Sequence, residues 1–183
     1  MKFSTFTTKL IAGGAIAAAA IALPASAMAA PASATRPGSS HASCRFQQIK
    51  VWLGIGNGTS THNTISYPLE FSNVGRFTCS LFGHPGVSGY HNGHQVGPAA
   101  IHVGSKFLVF LAPGQTAHVH LTIRSAGSVS GCVRRAGTRL RVFTPNQTAS
   151  TIINGFVYTA CANRTTLSVT SVRPGTGIPG LHV

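Results

Sequence analysis

Acidic side chains are almost missing from this chain. Glu70 is the only one among 183 residues and Asp does not occur, against 14 Lys and Arg and 9 His. The formal net charge is +13. This deficit removes whole classes of chemistry. A glycosidase working through two carboxylates needs a pair of acids with separated pKa values, and one Glu makes no pair. Aspartic-protease chemistry fails for the same reason. A Ser-His-Asp triad lacks its Asp, and no G-x-S-x-G turn is present to expose a nucleophile. Carboxylate-rich Ca²⁺ or Mg²⁺ sites have too few ligands. The chain therefore reads as a non-enzyme with no cofactor.

Long apolar runs are also missing. A membrane-spanning helix needs about 20 apolar residues, and the longest stretch, Ile11 to Leu23, falls short. It has instead the setting of a cleavable export signal. Lys2 and Lys9 precede or border it, Pro24 ends it, and small residues fit an A-x-A cleavage pattern at Ala25-Ser26-Ala27 and at Ala27-Met28-Ala29. Residues 1–29 are thus read as a signal peptide, and the expected address is secreted or extracytoplasmic, in the cell envelope. Loss of Lys2 and Lys9 leaves a charge of +11 on the remainder. Residues 30–43, rich in Pro, Ala and Ser, read as a disordered spacer. Residues 44–173 read as one domain of ordinary size, and 174–183, with Gly and Pro, as a flexible tail.

Cys-x-x-Cys pairs are absent, which removes zinc-ribbon and thioredoxin chemistry. The four cysteines, Cys44, Cys79, Cys132 and Cys161, are dispersed through the exported part. In an oxidising compartment that reads as two disulfides. Three pairings are possible. Cys44–Cys79 with Cys132–Cys161 is preferred, because each would staple neighbouring strands of one half of the domain.

Helical periodicity is missing as well, and two-residue alternation stands in its place. Ile49, Val51 and Leu53 share one face of a first strand, with Trp52 opposite. Ile65, Tyr67, Leu69 and Phe71 share a face of a second, with Ser66, Pro68, Glu70 and Ser72 turned away. Pro68 predicts an edge or a bulge. Phe77, Cys79 and Leu81 alternate inward on a third. His91-Asn92-Gly93-His94 carries the strongest short hairpin signal, Asn-Gly. Ala112-Pro113-Gly114-Gln115 reads as a turn. Ala117, Val119, Leu121 and Ile123 are expected inside, with His118, His120 and Thr122 outside; Leu140 and Val142 inside, with Arg139 and Arg141 outside. Phe107 and Phe110 are assigned to core faces. Eight or nine short strands at this spacing predict an all-β sandwich with Greek-key connections.

A resemblance rests on three stretches, Leu69-Glu70-Phe71-Ser72-Asn73-Val74-Gly75, Thr78-Cys79-Ser80-Leu81-Phe82-Gly83-His84-Pro85-Gly86-Val87 and Leu111-Ala112-Pro113-Gly114-Gln115-Thr116-Ala117. With Cys44, Cys132, Cys161, Leu167 and Val169 they resemble a secreted actinobacterial family, the domain of unknown function four-two-three-two, over about Cys44 to Val172. The resemblance implies an immunoglobulin-like β-architecture and an exported or membrane-tethered protein. It implies no activity and no catalytic residues. This chain departs from the pattern in being so basic and in placing His91 and His94 around its hairpin turn.

Two sets of residues are candidates for binding. Arg134, Arg135, Arg139 and Arg141 fall within eight positions, and guanidinium forks suit phosphate and carboxylate. They make an anionic envelope polymer or other extracellular polyanion the expected partner. Nucleic acid is not expected as the physiological one, because no recognition motif accompanies the charge. The alternative is metal binding: His118 and His120, two apart on a strand, leave the same face and offer imidazoles to Zn²⁺ or Cu²⁺. A zinc site would need further ligands, and no sequence rule brings His84 or His102 near. Trp52 reads either as a sugar-stacking platform or as filler for the second face of a central strand.

Overall fold

The computed structural model describes residues 41–54 and 59–177. The signal-peptide reading, the spacer up to residue 40 and the tail beyond 177 lie outside the described residues. The chain is all-β. Its strands are β1 (Ile49–Leu53), β2 (Thr59–Ser60), β3 (Thr64–Asn73), β4 (Cys79–Phe82), β5 (Gly86–His91), β6 (His94–Val96), β7 (Ile101–Val103), β8 (Leu108–Leu111), β9 (Thr116–Arg124), β10 (Arg134–Phe143), β11 (Ser150–Cys161), β12 (Leu167–Thr170) and β13 (Arg173–Pro174). The helical content among the described residues is two single 3-10 turns, Phe46–Gln48 and Ala126–Ser128.

Three sheets share one core. The largest runs β1-β3-β9-β12-β7, with β2 added to β3 and β13 added to β9. The second runs β11-β10-β5-β6, and the third is the pair β4-β8. Each sheet turns an apolar face to a common cluster that includes Leu69, Phe71, Leu121, Leu140, Leu81 and Leu111. All six are at most 1% exposed. Removal of such apolar area from water is the main favourable term in folding, at about 25 cal/mol per Å².

The turns follow their residues. His91 pairs with His94 across Asn92 and Gly93, both at positive φ (47° and 81°). That is the type I′ geometry, which Asn-Gly adopts with little strain. Asn73 is fully buried and fully used. Its Nδ2 donates to Phe77 O at 2.9 Å and Leu111 O at 2.8 Å, and its Oδ1 accepts from Gly75 N–H at 2.9 Å. One side chain thereby ties the end of β3 to the ends of β4 and β8.

Disulfides join Cys44 to Cys79 and Cys132 to Cys161. The first fastens the segment entering the domain to β4, where Cys44 N–H also donates to Ser80 O at 2.9 Å. The second fastens the approach to β10 onto the end of β11. With sequence separations of 35 and 29, loop closure in the unfolded chain gives each about 3–4 kcal/mol.

Several side chains lie elsewhere than alternation predicts. Phe77 is 75% exposed and Phe110 50%, so neither belongs to the core, and Phe107 sits at the rim. Phe77 precedes β4 and escapes its period; Phe110 lies on the face of β8 over which, among the described residues, no strand packs. Trp52 does not fill a central strand, because β1 is an edge of its sheet. Its Nε1–H instead donates to Ser72 Oγ at 3.0 Å. Pro68 lies in an inner strand rather than at an edge. It is tolerated because β1 has ended beside it, with only Gly54 N–H reaching Pro68 O, so no ladder bond needs the missing N–H.

Tyr158 crosses the inner side of the second sheet over Gly137 and Gly89, where any Cβ would collide with its ring or hydroxyl. Its Oη is buried without a hydrogen-bond partner, and burial pushes its pKa up to about 12. An unpaired buried hydroxyl costs stability that a phenyl ring does not. Tyr158→Phe is therefore expected to leave Tm unchanged or raise it by about 2–3 °C, whereas Gly137→Ala, which forces the ring out, lowers it by several degrees; differential scanning calorimetry reads both.

Candidate functional site

The sole carboxylate of the protein is an internal group. Glu70 stands in β3 between Trp52 of β1 and His118 of β9. It points away from the common core, to a face that alternation assigns to solvent. Yet Glu70 is 1% exposed and His118 2%. The cover is the chain's own carboxy-terminal segment. Arg173 and Pro174 add to β9 opposite His118 and Ala117, and Gly175 N–H donates to Thr116 O at 2.9 Å. Gly177 N–H then donates to Glu70 Oε1 at 2.6 Å. His118 Nδ1 lies 3.0 Å from Gly175 O. A carbonyl only accepts, so Nδ1 carries the proton and Nε2 of a neutral His118 is left as a bare acceptor.

Two expectations are thereby corrected. The tail is not loose from residue 174, since 174–177 are docked on the sheet. His118 does not project into solvent, because the carboxy-terminal segment covers the outer face of β9 at that position. The signal that could have been read is chemical. The outward positions of β3 and β9 hold Ser, Thr, His and a single acid, with Arg124 the one basic residue and that at the strand end. A solvent face in so basic a protein would carry more Lys and Arg.

Glu70 Oε2 and His118 Nε2 are both buried without a partner. Burial pushes the Glu70 carboxyl above its ordinary 4.5, and the Gly177 N–H and the nearby His118 recover only part of that. Burial also lowers His120, with the neighbouring His118 and Arg173 adding to the effect. The His118 and His120 rings are stacked with centroids 5.9 Å apart. They do share a face, as two-residue spacing requires. Among the described residues, however, no three His, Cys, Asp or Glu side chains are grouped as a metal would need. His84 and His102, which nothing in the sequence links, stack at 4.7 Å with nearly parallel rings. His84 Nε2 also lies 3.0 Å from Val103 O.

The four arginines are not one patch. All are on β10, but a bulge between Gly137 and Arg139 breaks its alternation. At about 3.3 Å per residue, Arg135 and Arg141 are on the order of 15–20 Å apart. Arg134 and Arg135 are exposed at one end of the strand. Arg139 and Arg141 share the outer face, Arg139 exposed and Arg141 half-buried. Arg141 is held in place: Nε donates to Ser150 Oγ at 2.9 Å, Nη1 to Tyr90 Oη at 2.8 Å, and its Cζ lies 4.8 Å from the Phe143 ring centroid. Arg139 pairs with Tyr90 in the ladder. The pair thus forms a small cationic platform with one fixed and one free guanidinium.

Comparison with known proteins adds a family and little else. The family model described as "Domain of unknown function (DUF4232)" matches residues 44–173. No curated protein matches the chain. Among solved structures, a selenomethionine-labelled β-glucosidase from Kluyveromyces marxianus is similar over 71% of this chain and 15% of its own length, at 14% identity and a TM-score of 0.31. The chain thus spans a small part of that enzyme.

The buried acid makes a prediction whose sign can be worked out. A carboxyl raised above its unfolded pKa destabilises the fold as pH rises through the raised value, and costs nothing below the ordinary one. His120, lowered, acts the opposite way: its stability is lost as pH falls below the ordinary 6.5. Glu70→Gln keeps an acceptor for Gly177 N–H and removes the charge. It should raise Tm at pH 7–8 by about 3 °C, with the gain vanishing below pH 4. Glu70→Ala, which strands the Gly177 N–H, should lower Tm at every pH. A thermal-melt series across pH checks both.

Proposed function

We propose that this chain, which belongs to that family of domains of unknown function, is an exported, non-catalytic binding domain for anionic polymers of the cell envelope or extracellular space. One observation carries the reading. With Glu70 sealed beneath residues 173–177, no ionised side chain on the surface is negative, while Lys and Arg remain at the surface. Nothing there competes internally for the guanidinium and ammonium groups, so an external anion meets them unpaired. Such a field raises the encounter rate with any polyanion over a Debye length of roughly 8–10 Å.

Arg139 and Arg141 are the contact pair this reading favours. Arg141 is oriented before binding by Tyr90, Ser150 and Phe143, which lowers the entropy cost of engaging a phosphate or carboxylate. Arg134 and Arg135 supply charge at a distance along the same strand. The disulfides support export, because they persist in oxidising compartments. The lack of catalysis is supported by the sequence: the one acid is committed to the tail backbone and is out of reach of a substrate.

Retention on immobilised polyphosphate and on polygalacturonate across a salt series tests the proposal. The logarithm of affinity should fall linearly with the logarithm of salt concentration. Arg139→Gln with Arg135→Gln should flatten that slope by roughly one to two counter-ions without changing Tm. Arg141→Gln should weaken retention and lower Tm together, as its three partners are lost. Retention that ignores salt, or a slope unmoved by the double substitution, would overturn the reading.

A further inference from the structure

Strand β8 is one of several places where large apolar side chains are exposed. Its residues, Leu108-Val109-Phe110-Leu111, are apolar on both faces, the pattern of a strand covered on both sides. Among the described residues only one side is covered. Val109 and Leu111 join the core with Leu81 of β4, at 5%, 1% and 0% exposure. The other face of the β4-β8 ribbon carries Leu108 directly opposite Phe82, and Phe110 opposite Ser80. Phe82, Leu108 and Phe110 are 45%, 54% and 50% exposed. Contiguous apolar area of this kind marks an interaction surface more often than chance.

The polar groups bordering the trio point to its partner. Lys106 precedes Leu108 by two positions, and its aliphatic stem lies beside Gly83, next to Phe82. His84 lies two residues beyond Phe82, stacked on His102. His41, where the described chain begins, meets Phe110 edge-on at 5.3 Å. Every ionisable group here is a base, and the protein has no surface acid side chain to place nearby. We propose that this face docks on an anionic lipid bilayer. Phe82, Leu108 and Phe110 enter the boundary between headgroups and acyl chains, and Lys106 meets the headgroup phosphates. Apolar side chains rimmed by basic ones are what such an interface takes. The contact is separate from the Arg139–Arg141 platform, and its energy comes mainly from apolar burial rather than ion pairing.

The test uses the full chain, with a tryptophan moved to the face. In a Trp52→Phe background, Phe82→Trp is compared with Val157→Trp, at a position 75% exposed on β11. Vesicles of phosphatidylglycerol and phosphatidylcholine with brominated acyl chains should quench the first and spare the second. Pure phosphatidylcholine vesicles should quench neither. Phe82→Ser with Phe110→Ser should raise the lipid concentration for half-maximal binding at least about tenfold, and Lys106→Gln by a smaller factor that shrinks in salt. Thermal melts confirm that these surface variants are folded, and polyphosphate retention by the double Ser variant should be unchanged. Equal quenching at both positions, equal binding to neutral vesicles, or full binding by the double Ser variant would overturn the proposal. Loss of a co-purifying protein rather than of lipid binding would assign the face to a protein partner and overturn it too.

Discussion

Strand β9 is buried on its core face and, at His118, on its outer face as well, and the way that second face is closed governs much of this domain. One face meets the common core through Val119 and Leu121. The other would meet water, were it not for residues 173–177, which add a short strand and close over Glu70 and His118. The closing contacts are polar, and each uses a backbone group of the tail. This is an economical way to bury a polar face, because every tail N–H or C=O that docks satisfies a group that burial would otherwise strand. Two atoms, Glu70 Oε2 and His118 Nε2, are left over. They mark where charge and proton equilibria of the fold are concentrated.

The surface follows from that interior. A protein with one acid and many bases could have paired its acid with a surface base and changed little. Placing the acid inside instead makes the exterior uniformly cationic among ionised side chains. That exterior is still not uniform in chemistry. On the second sheet, Arg141 is fixed against Tyr90 and Phe143 beside a free Arg139. On the β4-β8 ribbon, apolar side chains stand beside Lys106. The first arrangement is the one proposed for a polymer of phosphates or carboxylates, whose binding would be salt-dependent. The second suits an amphiphile and depends on buried area. Both are fixed on strands rather than on long loops, so neither needs to be ordered when a partner arrives.

The sequence was legible where local geometry decides the outcome. Alternation placed Leu69, Phe71, Val119, Leu121, Leu140 and Val142 inside, because a pleated strand leaves its side chains no third direction. Asn92-Gly93 could be read as a hairpin turn because few other residue pairs tolerate two positive φ angles in a row. Alternation misled where a face had two possible fates. It distinguishes one side of a strand from the other but does not say how many sides are covered. His118 and Glu70 were thus read as exposed, and Phe110 as buried, by the same reasoning that succeeded for their neighbours. The spread of the arginines has a related cause: the pairing of β10 with β11 shifts register between Gly137 and Arg139, and sequence spacing overstates how closely the four gather.

What the sequence determined by itself is therefore the set of possibilities: an all-β chain with an even number of dispersed cysteines, an overwhelming positive charge and too few acids for most hydrolytic chemistry. These are properties of composition and of contacts between near neighbours. Tertiary structure alone decided that residues 174–177 are part of the domain, that the single carboxylate is hidden, that His84 meets His102, and that β8 keeps an apolar face in the open. Each depends on which elements lie against which across dozens of residues. That choice is set by the whole core and the whole set of backbone hydrogen bonds at once, and no local stretch of sequence carries it.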